Sequence, residues 1–309
     1  MPPTRFVARA GAAATLLGGA LTAYGLSEAR RFVVRTVDLP VLPPDADPVR
    51  VLHLSDLHVV PTQRRKLDWV RSLARLRPDL VVDTGDNLAH RHAVPALLDA
   101  LGPLLERPGL FVHGSNDYFE PRLRNPFAYL LPDDGRRRTD VPELPWRDLS
   151  TAFTGAGWRD LTNRRDGIDV AGVRIALAGV DDPHLSYDDL SAVAGPADTG
   201  ADVRLALTHA PYLRVLDQFA HDGYDAILAG HTHGGQVCLP GGRALATNCD
   251  LEPARARGLH RHPAASRPGD AASSWLHVSA GAGTNPYLRV RVACRPEATL
   301  LTLTPRLQG

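Results

Sequence analysis

The chain has 309 residues, enough for one large domain or two small ones with a sizeable core. Its 44% hydrophobic and 22% charged residues exclude a disordered chain, and a formal charge of +1 argues against nucleic-acid binding driven by charge. The three cysteines, Cys238, Cys249 and Cys294, lack C-x-x-C spacing and exclude a disulfide framework, leaving open one Cys238–Cys249 bridge in an oxidising compartment.

Residues 1–35 are expected to form a membrane anchor and its flank. Between Arg9 and Glu28 the run Ala10 to Ser27 is uncharged. As a helix it spans roughly 27 Å, just enough for a bilayer core. A cleaved secretory signal, giving an exported soluble form, is the other reading of the same layout. Arg5 and Arg9 before the run are balanced by Arg30, Arg31 and Arg35 after it, so the charge pattern gives no orientation. Residues 36–48, which include Leu39-Pro40 and Leu42-Pro43-Pro44, read as a stiff extended linker. Residues 49–305 read as the main domain.

That domain opens on a strand, Val49 to Leu54, ending in Ser55-Asp56-Leu57-His58. Asp56 and His58 stand two residues apart, so in an extended chain they project to one side. A carboxylate beside an imidazole suits Mn, Fe or Zn, although an Asp at a strand end also serves as a plain turn cap. Arg64 to Leu76 reads as an amphipathic helix closed by Pro78. A second strand, Asp79 to Thr84, delivers Gly85-Asp86-Asn87. A helix over Ala93 to Leu105 and a third strand, Leu110 to His113, then deliver Gly114-Ser115-Asn116-Asp117. Repeated strand–helix units that drop polar groups at the carboxyl end of each strand form an α/β pattern, and sites assemble on that edge.

From 118 to 146 the periodicity is lost among Pro121, Pro126, Pro132, Pro142 and Pro145, and an insertion or lid is expected there. Its Arg136-Arg137-Arg138 run suits an anionic ligand or simple solvation. Leu149 to Gly157 reads as a short helix, and Trp158 to Asn163 and Val173 to Val180 as strands. Val203 to Thr208 is a further strand delivering His209, and Tyr212 to His221 is a helix. The short apolar run Ala226 to Ala229 then leads into Gly230-His231-Thr232-His233-Gly234-Gly235-Gln236. Two imidazoles two residues apart, followed by paired glycines, can be aimed into one cavity. Pro263 to Ser274 reads as a loop, and Leu276 to Ala280 and Leu288 to Leu303 as strands around a Gly-rich turn.

The ordered set D-x-H, G-D, G-x-N-D, a lone His and G-H-x-H resembles the calcineurin-like metallophosphoesterases from about Val49 to Leu303. With Ser279-Ala280-Gly281-Ala282-Gly283-Thr284 and Arg295-Pro296-Glu297, it looks most like the membrane-associated subgroup with one amino-terminal helix. The resemblance implies a four-layer α/β/β/α sandwich of two mixed sheets, preceded here by the hydrophobic helix. It also implies two divalent metal ions, Mn, Fe or Zn. Asp56, His58, Asp86 and His233 would hold one; Asp86, Asn116, His209 and His231 would hold the other. Two such cations ~3.5–4 Å apart clamp a phosphoryl group and carry a bridging hydroxide. The implied activity is hydrolysis of a phosphodiester or pyrophosphate, the substrate being a phosphoester of the lipid-linked or nucleotide-linked kind, with Asn116, Asp117 and His231 as candidate catalytic residues.

One motif departs from the family. Its third motif is usually G-N-H-D or G-N-H-E, where Asn binds metal and His protonates the leaving group. Aligned without a gap, Ser115 falls on the ligand position; shifted by one residue, Asn116 does. Asn116 is the preferred ligand, since an amide oxygen binds such cations better than a neutral hydroxyl. The general-acid histidine is missing in either register, a loss that typically costs ~10²–10⁴-fold, and His113, Asp117 or a lid residue would have to replace it. The alternative function is a catalytically weak protein that binds metal and senses a phosphorylated ligand.

Overall fold

The computed structural model describes residues 18–123 and 139–306. The first sheet carries, side by side, β1 (Val33–Leu42), β12 (Glu297–Pro305), β2 (Val49–Leu54), β3 (Leu80–Asp83), β4 (Gly109–Phe111) and β5 (Arg159–Asp160). The second carries β10 (Gly258–His262), β11 (Ser274–Val278), β9 (Ala226–Ala229), β8 (Val203–Leu207), β7 (Val173–Gly179) and β6 (Arg164–Val170). Both are mixed: β12 runs antiparallel to β2, β10 to β11 and β6 to β7, while the other neighbours are parallel.

The inner faces of the sheets share one apolar core, in which Val49, Val51, Leu80, Val82, Leu301 and Leu303 meet Ile175, Leu177, Val203, Leu205 and Leu228. The outer face of the first sheet is covered by α2 (Arg64–Ser72), α3 (Ala93–Leu101) and α5 (Trp146–Gly155), through Leu67, Val70, Leu97, Leu149 and Phe153. On the second sheet α6 (Leu213–His221) buries Val215, Leu216 and Phe219. Full burial of such side chains contributes about 1.5–3 kcal/mol each relative to exposure. The layers therefore stack as α/β/β/α. β2, β3, β8 and β9 are apolar throughout or nearly so because they are covered on both faces.

Several expectations change. Most of the linker is a strand: β1 pairs along its length with β12, from Val33 opposite Glu297 to Leu42 opposite Pro305. Leu39, Val41 and Leu42 are buried, and Pro40 is tolerated because β1 lies at the sheet edge. β6 and β10, rich in Arg, Asp and His, were not anticipated because edge strands need no continuous apolar run. The stretch from Leu288 to Pro296 is irregular, and the strand begins only at Glu297. The expected Cys238–Cys249 bridge is not formed: the three cysteines are in no disulfide, and Cys238 Sγ donates to Gly234 O at 3.2 Å. Of the anchor run, residues 18–28 form a helix, α1, and the rest lies outside the described residues. No helix among the described residues is long and apolar enough to cross a membrane. Within the expected lid, Phe119 bridges Glu143, and residues 124–138, with the arginine triplet, lie outside the described residues.

Candidate metal centre

The loops that follow β2, β3, β4, β8 and β9 converge on one rim of the two sheets. Asp56, His58, Asp86, His231 and His233 all have φ between 42° and 68°, the left-handed region that side chains with a Cβ rarely adopt. Strain of this kind costs of order 1–3 kcal/mol per residue and clusters where function fixes geometry. Two glycines make the convergence feasible. A Cβ on Gly230 would collide with Ser55 Oγ and Asp56 Oδ2, and one on Gly114 with Asp86 Oδ1 and the His209 ring.

Asp56, His58, Asp86 and His233 each place one ligand atom within 4.8 Å of the others. His58 Nε2 lies 3.4 Å from Asp86 Oδ2 and 3.2 Å from His233 Nε2, which in turn lies 3.6 Å from Asp56 Oδ1. Two ring nitrogens and two carboxylate oxygens thus face one another, more lone pairs than the hydrogens between them can satisfy. A divalent cation fits this donor set. Burial pulls His58 down to about 4 and His233 well below the usual histidine range, so both rings are neutral near pH 7 and carry the lone pair that coordination needs.

Asp86 faces a second group. His209 Nδ1 donates to Thr84 O at 2.7 Å, which fixes the tautomer and turns Nε2 toward Asp86 Oδ1 at 3.5 Å. That Nε2 is fully buried with no hydrogen-bond partner. Burial opposes charge on His209, but Asp86, Asp182 and Asp56 outweigh it and push the ring up to about 9 in the absence of metal. Asp86 moves the other way: burial would raise it, yet His209, His58 and Asn116 hold it well below the carboxylate range. Burial, helped by Asp86, raises Asp56 to about 6.

Of the two third-motif residues, Asn116 is the one against Asp86. Its backbone N donates to Oδ1 at 2.7 Å and its Nδ2 to Oδ2 at 2.8 Å. A half-turn of the amide presents its oxygen instead. His231 joins through its backbone N, 3.1 Å from Asp56 Oδ2, and its ring stands 5.2 Å from that of His209. Its Nε2 lies 3.1 Å from Asn248 O and 3.4 Å from Asn248 Nδ2.

The model of the family described as calcineurin-like phosphoesterase matches residues 49–235, which include every one of these ligand candidates. The chain belongs to that family. The chain is 32% identical over 249 residues to a bovine transmembrane protein with metallophosphoesterase domain, covering 76% of this chain. It spans about half of that protein, 52% of its length. It is 26% identical over 256 residues to the uncharacterized metallophosphoesterase YkoQ of Bacillus subtilis, covering 81% of this chain and 82% of that one. Among solved structures it is similar to the NAD nucleotidase of Haemophilus influenzae at 12% identity and a TM-score of 0.44, covering 77% of this chain and 51% of that one.

In this chain neither His113 nor Asp117 is placed as an open proton donor. His113 Nε2 pairs with Ser150 Oγ at 2.8 Å, and its ring packs against Phe111, Tyr118 and Trp146. Asp117 is fully buried and accepts from the backbone N of Asp86, Asn87 and Gly114 at 2.8–3.0 Å, so it braces two loops together.

Three supporting residues escaped the sequence reading. Arg291 is fully buried and donates to Ala280 O and Gly283 O at 2.7 Å and to His233 O at 3.3 Å, tying the Gly-rich turn to the H-x-H loop. Lys66, the one lysine of the chain, donates to Leu57 O and His58 O, and burial pulls it down to about 7. His184 packs its ring 4.6 Å from His231 and pairs with Tyr212. Only His184 had a signal, as the last residue of Asp181-Asp182-Pro183-His184 after a strand.

Proposed function

We propose that this phosphoesterase hydrolyses a phosphodiester or pyrophosphate at a two-cation centre on a membrane-associated chain. The observation that carries the reading is Asp86, whose two carboxylate oxygens face different ligand groups, His58 on one side and His209 on the other. Divalent cations bound there would supply Lewis-acid polarisation of the phosphoryl oxygens and an activated water. The protein's part would be to hold Asp56, His58 and His233 toward one oxygen of Asp86 and His209 and His231 toward the other, with the Asn116 amide beside the carboxylate. Thr84 fixes the His209 tautomer, and Ser55 Oγ, 2.6 Å from Asp56 Oδ2, orients that carboxylate. With the family's acid histidine replaced, a substrate whose leaving group needs little protonation is favoured. The membrane part is supported by the uncharged run Ala10 to Ser27 and by similarity to a bovine and a Danio rerio protein, each a transmembrane protein with metallophosphoesterase domain.

Metal analysis of the purified protein with Mn²⁺, Fe²⁺ or Zn²⁺, followed by a phosphoester panel, tests the reading. Turnover of bis(p-nitrophenyl) phosphate is expected with Mn²⁺. Asp86→Ala should lower it by 10²–10³-fold or more, the scale of losing a group that organises transition-state charge. Undiminished turnover in that variant refutes the assignment. The altered third motif supports a second reading, a metal-bound sensor of phosphorylated ligands. Bound metal with no turnover across the panel, together with saturable ligand binding, would select it.

A further inference from the structure

Nine large apolar side chains are exposed among the described residues, and six of them ride on three segments that adjoin one another. Leu21, Tyr24 and Leu26 stand on α1, Leu239 and Leu245 on the turn 237–245, and Tyr287 on the tail 285–292. Arg291 N donates to Gly25 O at 3.1 Å, and a Cβ on Gly25 would overlap Val290, so α1 lies directly on the tail. Val237 bridges Val292, which seats the 237–245 turn on the tail's other side.

The charge on these segments has one sign at the surface. Arg30 and Arg31 close α1 and share a groove with Leu26 and Arg65, while Arg243 and Arg289 are exposed on the other two segments. Their one acid, Glu28, is buried beside Arg31 and Arg295. Leucine and tyrosine set among arginines, without exposed acids, is the composition of an interfacial surface that meets anionic lipid. The same tail holds Arg291, whose guanidinium reaches His233 O, so this surface borders the metal centre.

We propose that α1, the 237–245 turn and the 285–292 tail form a docking surface that lays the mouth of the metal centre against an anionic bilayer. The inference rests on the membrane association proposed above and narrows it. The active site works at headgroup level, and its substrate is an amphiphilic phosphoester whose apolar part remains in the membrane.

Hydrogen–deuterium exchange of the full-length chain tests this with vesicles of phosphatidylcholine alone and of phosphatidylcholine with phosphatidylglycerol, sedimentation being measured in the same samples. Amides of 237–245 and 285–292 should exchange about fivefold or more slowly on the anionic vesicles, and less so on the neutral ones. A Leu239→Ser/Leu245→Ser/Tyr287→Ser variant should lose that protection while still hydrolysing a soluble diester. Chain that sediments with vesicles but shows unchanged exchange overturns the docking surface and leaves membrane association standing. Chain that does not sediment overturns both. Protection that appears without vesicles and grows with protein concentration means that a second copy covers the surface, and it also overturns the proposal.

Discussion

Asp117 and Arg291 act on the metal centre without being candidate ligands, and each can be tested as a single side chain. Asp117 offers two oxygens to three backbone N–H groups. In Asp117→Asn, whichever way the amide turns, an N–H must face an N–H. We expect a loss of about 1–3 kcal/mol in unfolding free energy and a 10–100-fold fall in metal affinity or activity. A variant with unchanged denaturation and turnover would show that the brace is dispensable. Arg291→Met removes the donor from the Ala280, Gly283 and His233 carbonyls while keeping an apolar stem. Its expected cost is about 3 kcal/mol of stability, read from a denaturant midpoint at equal m-value.

At the scale of single residues, what the sequence disclosed was ligand chemistry. Asp56, His58, Asp86 and His233 were legible because each follows a short apolar run that must be a buried strand, and the grouping then follows from strand-end geometry. Lys66 and Arg291 were not. They work through backbone carbonyls brought together by folding, and nothing in the local sequence distinguishes a buried arginine from a solvated one.

Among elements, the two sheets are joined across their inner faces by more than apolar contact. His53 on β2 and His277 on β11 approach at 3.0 Å through their Nδ1 atoms, and His53 Nε2 meets Thr84 Oγ1 at 2.9 Å. Burial, with His277 adding to it for His53 and His260 for His277, holds His53 well below the usual range and His277 at about 3. Both rings therefore stay neutral in the folded protein as the pH falls below about 6.5, where the unfolded chain takes up protons. Stability falls as pH drops through that window, by up to about 1.4 kcal/mol per pH unit for each group. Denaturant midpoints at pH 7, 6 and 5 should fall steadily. The decline should be shallower in a His53→Gln/His277→Gln variant; equal slopes would remove the pair as the cause.

The elements most legible beforehand were those buried on both faces, because continuous apolar runs such as Ala226 to Ala229 have few other destinations. β1, β6 and β10 were lost for the opposite reason. Edge strands answer to water on one side, so proline, arginine and histidine are admitted and the periodic signal fades.

Taken as a whole molecule, the layers divide the site between them: the first sheet supplies Asp56, His58, Asp86 and Asn116, and the second His209, His231 and His233. The centre therefore reports how the sheets sit on each other, and cation binding should raise the thermal midpoint of the entire fold. Removing metal with a chelator is expected to lower that midpoint in one cooperative transition, and re-addition to restore it. A midpoint indifferent to chelation would mean that the cations, if held, contribute nothing to joining the halves.

The pairing of β1 with β12 carries a consequence for biogenesis. β12 occupies an interior position between β1 and β2, yet residues 297–305 come off the ribosome after every metal ligand has been made. Until they emerge, β1 and β2 have no common neighbour, and the edge of β2 that β12 will occupy waits with its backbone groups unpaired. A nascent chain halted before Glu297 should thus be a substrate for chaperones and proteases even though all seven of its ligand side chains are already present.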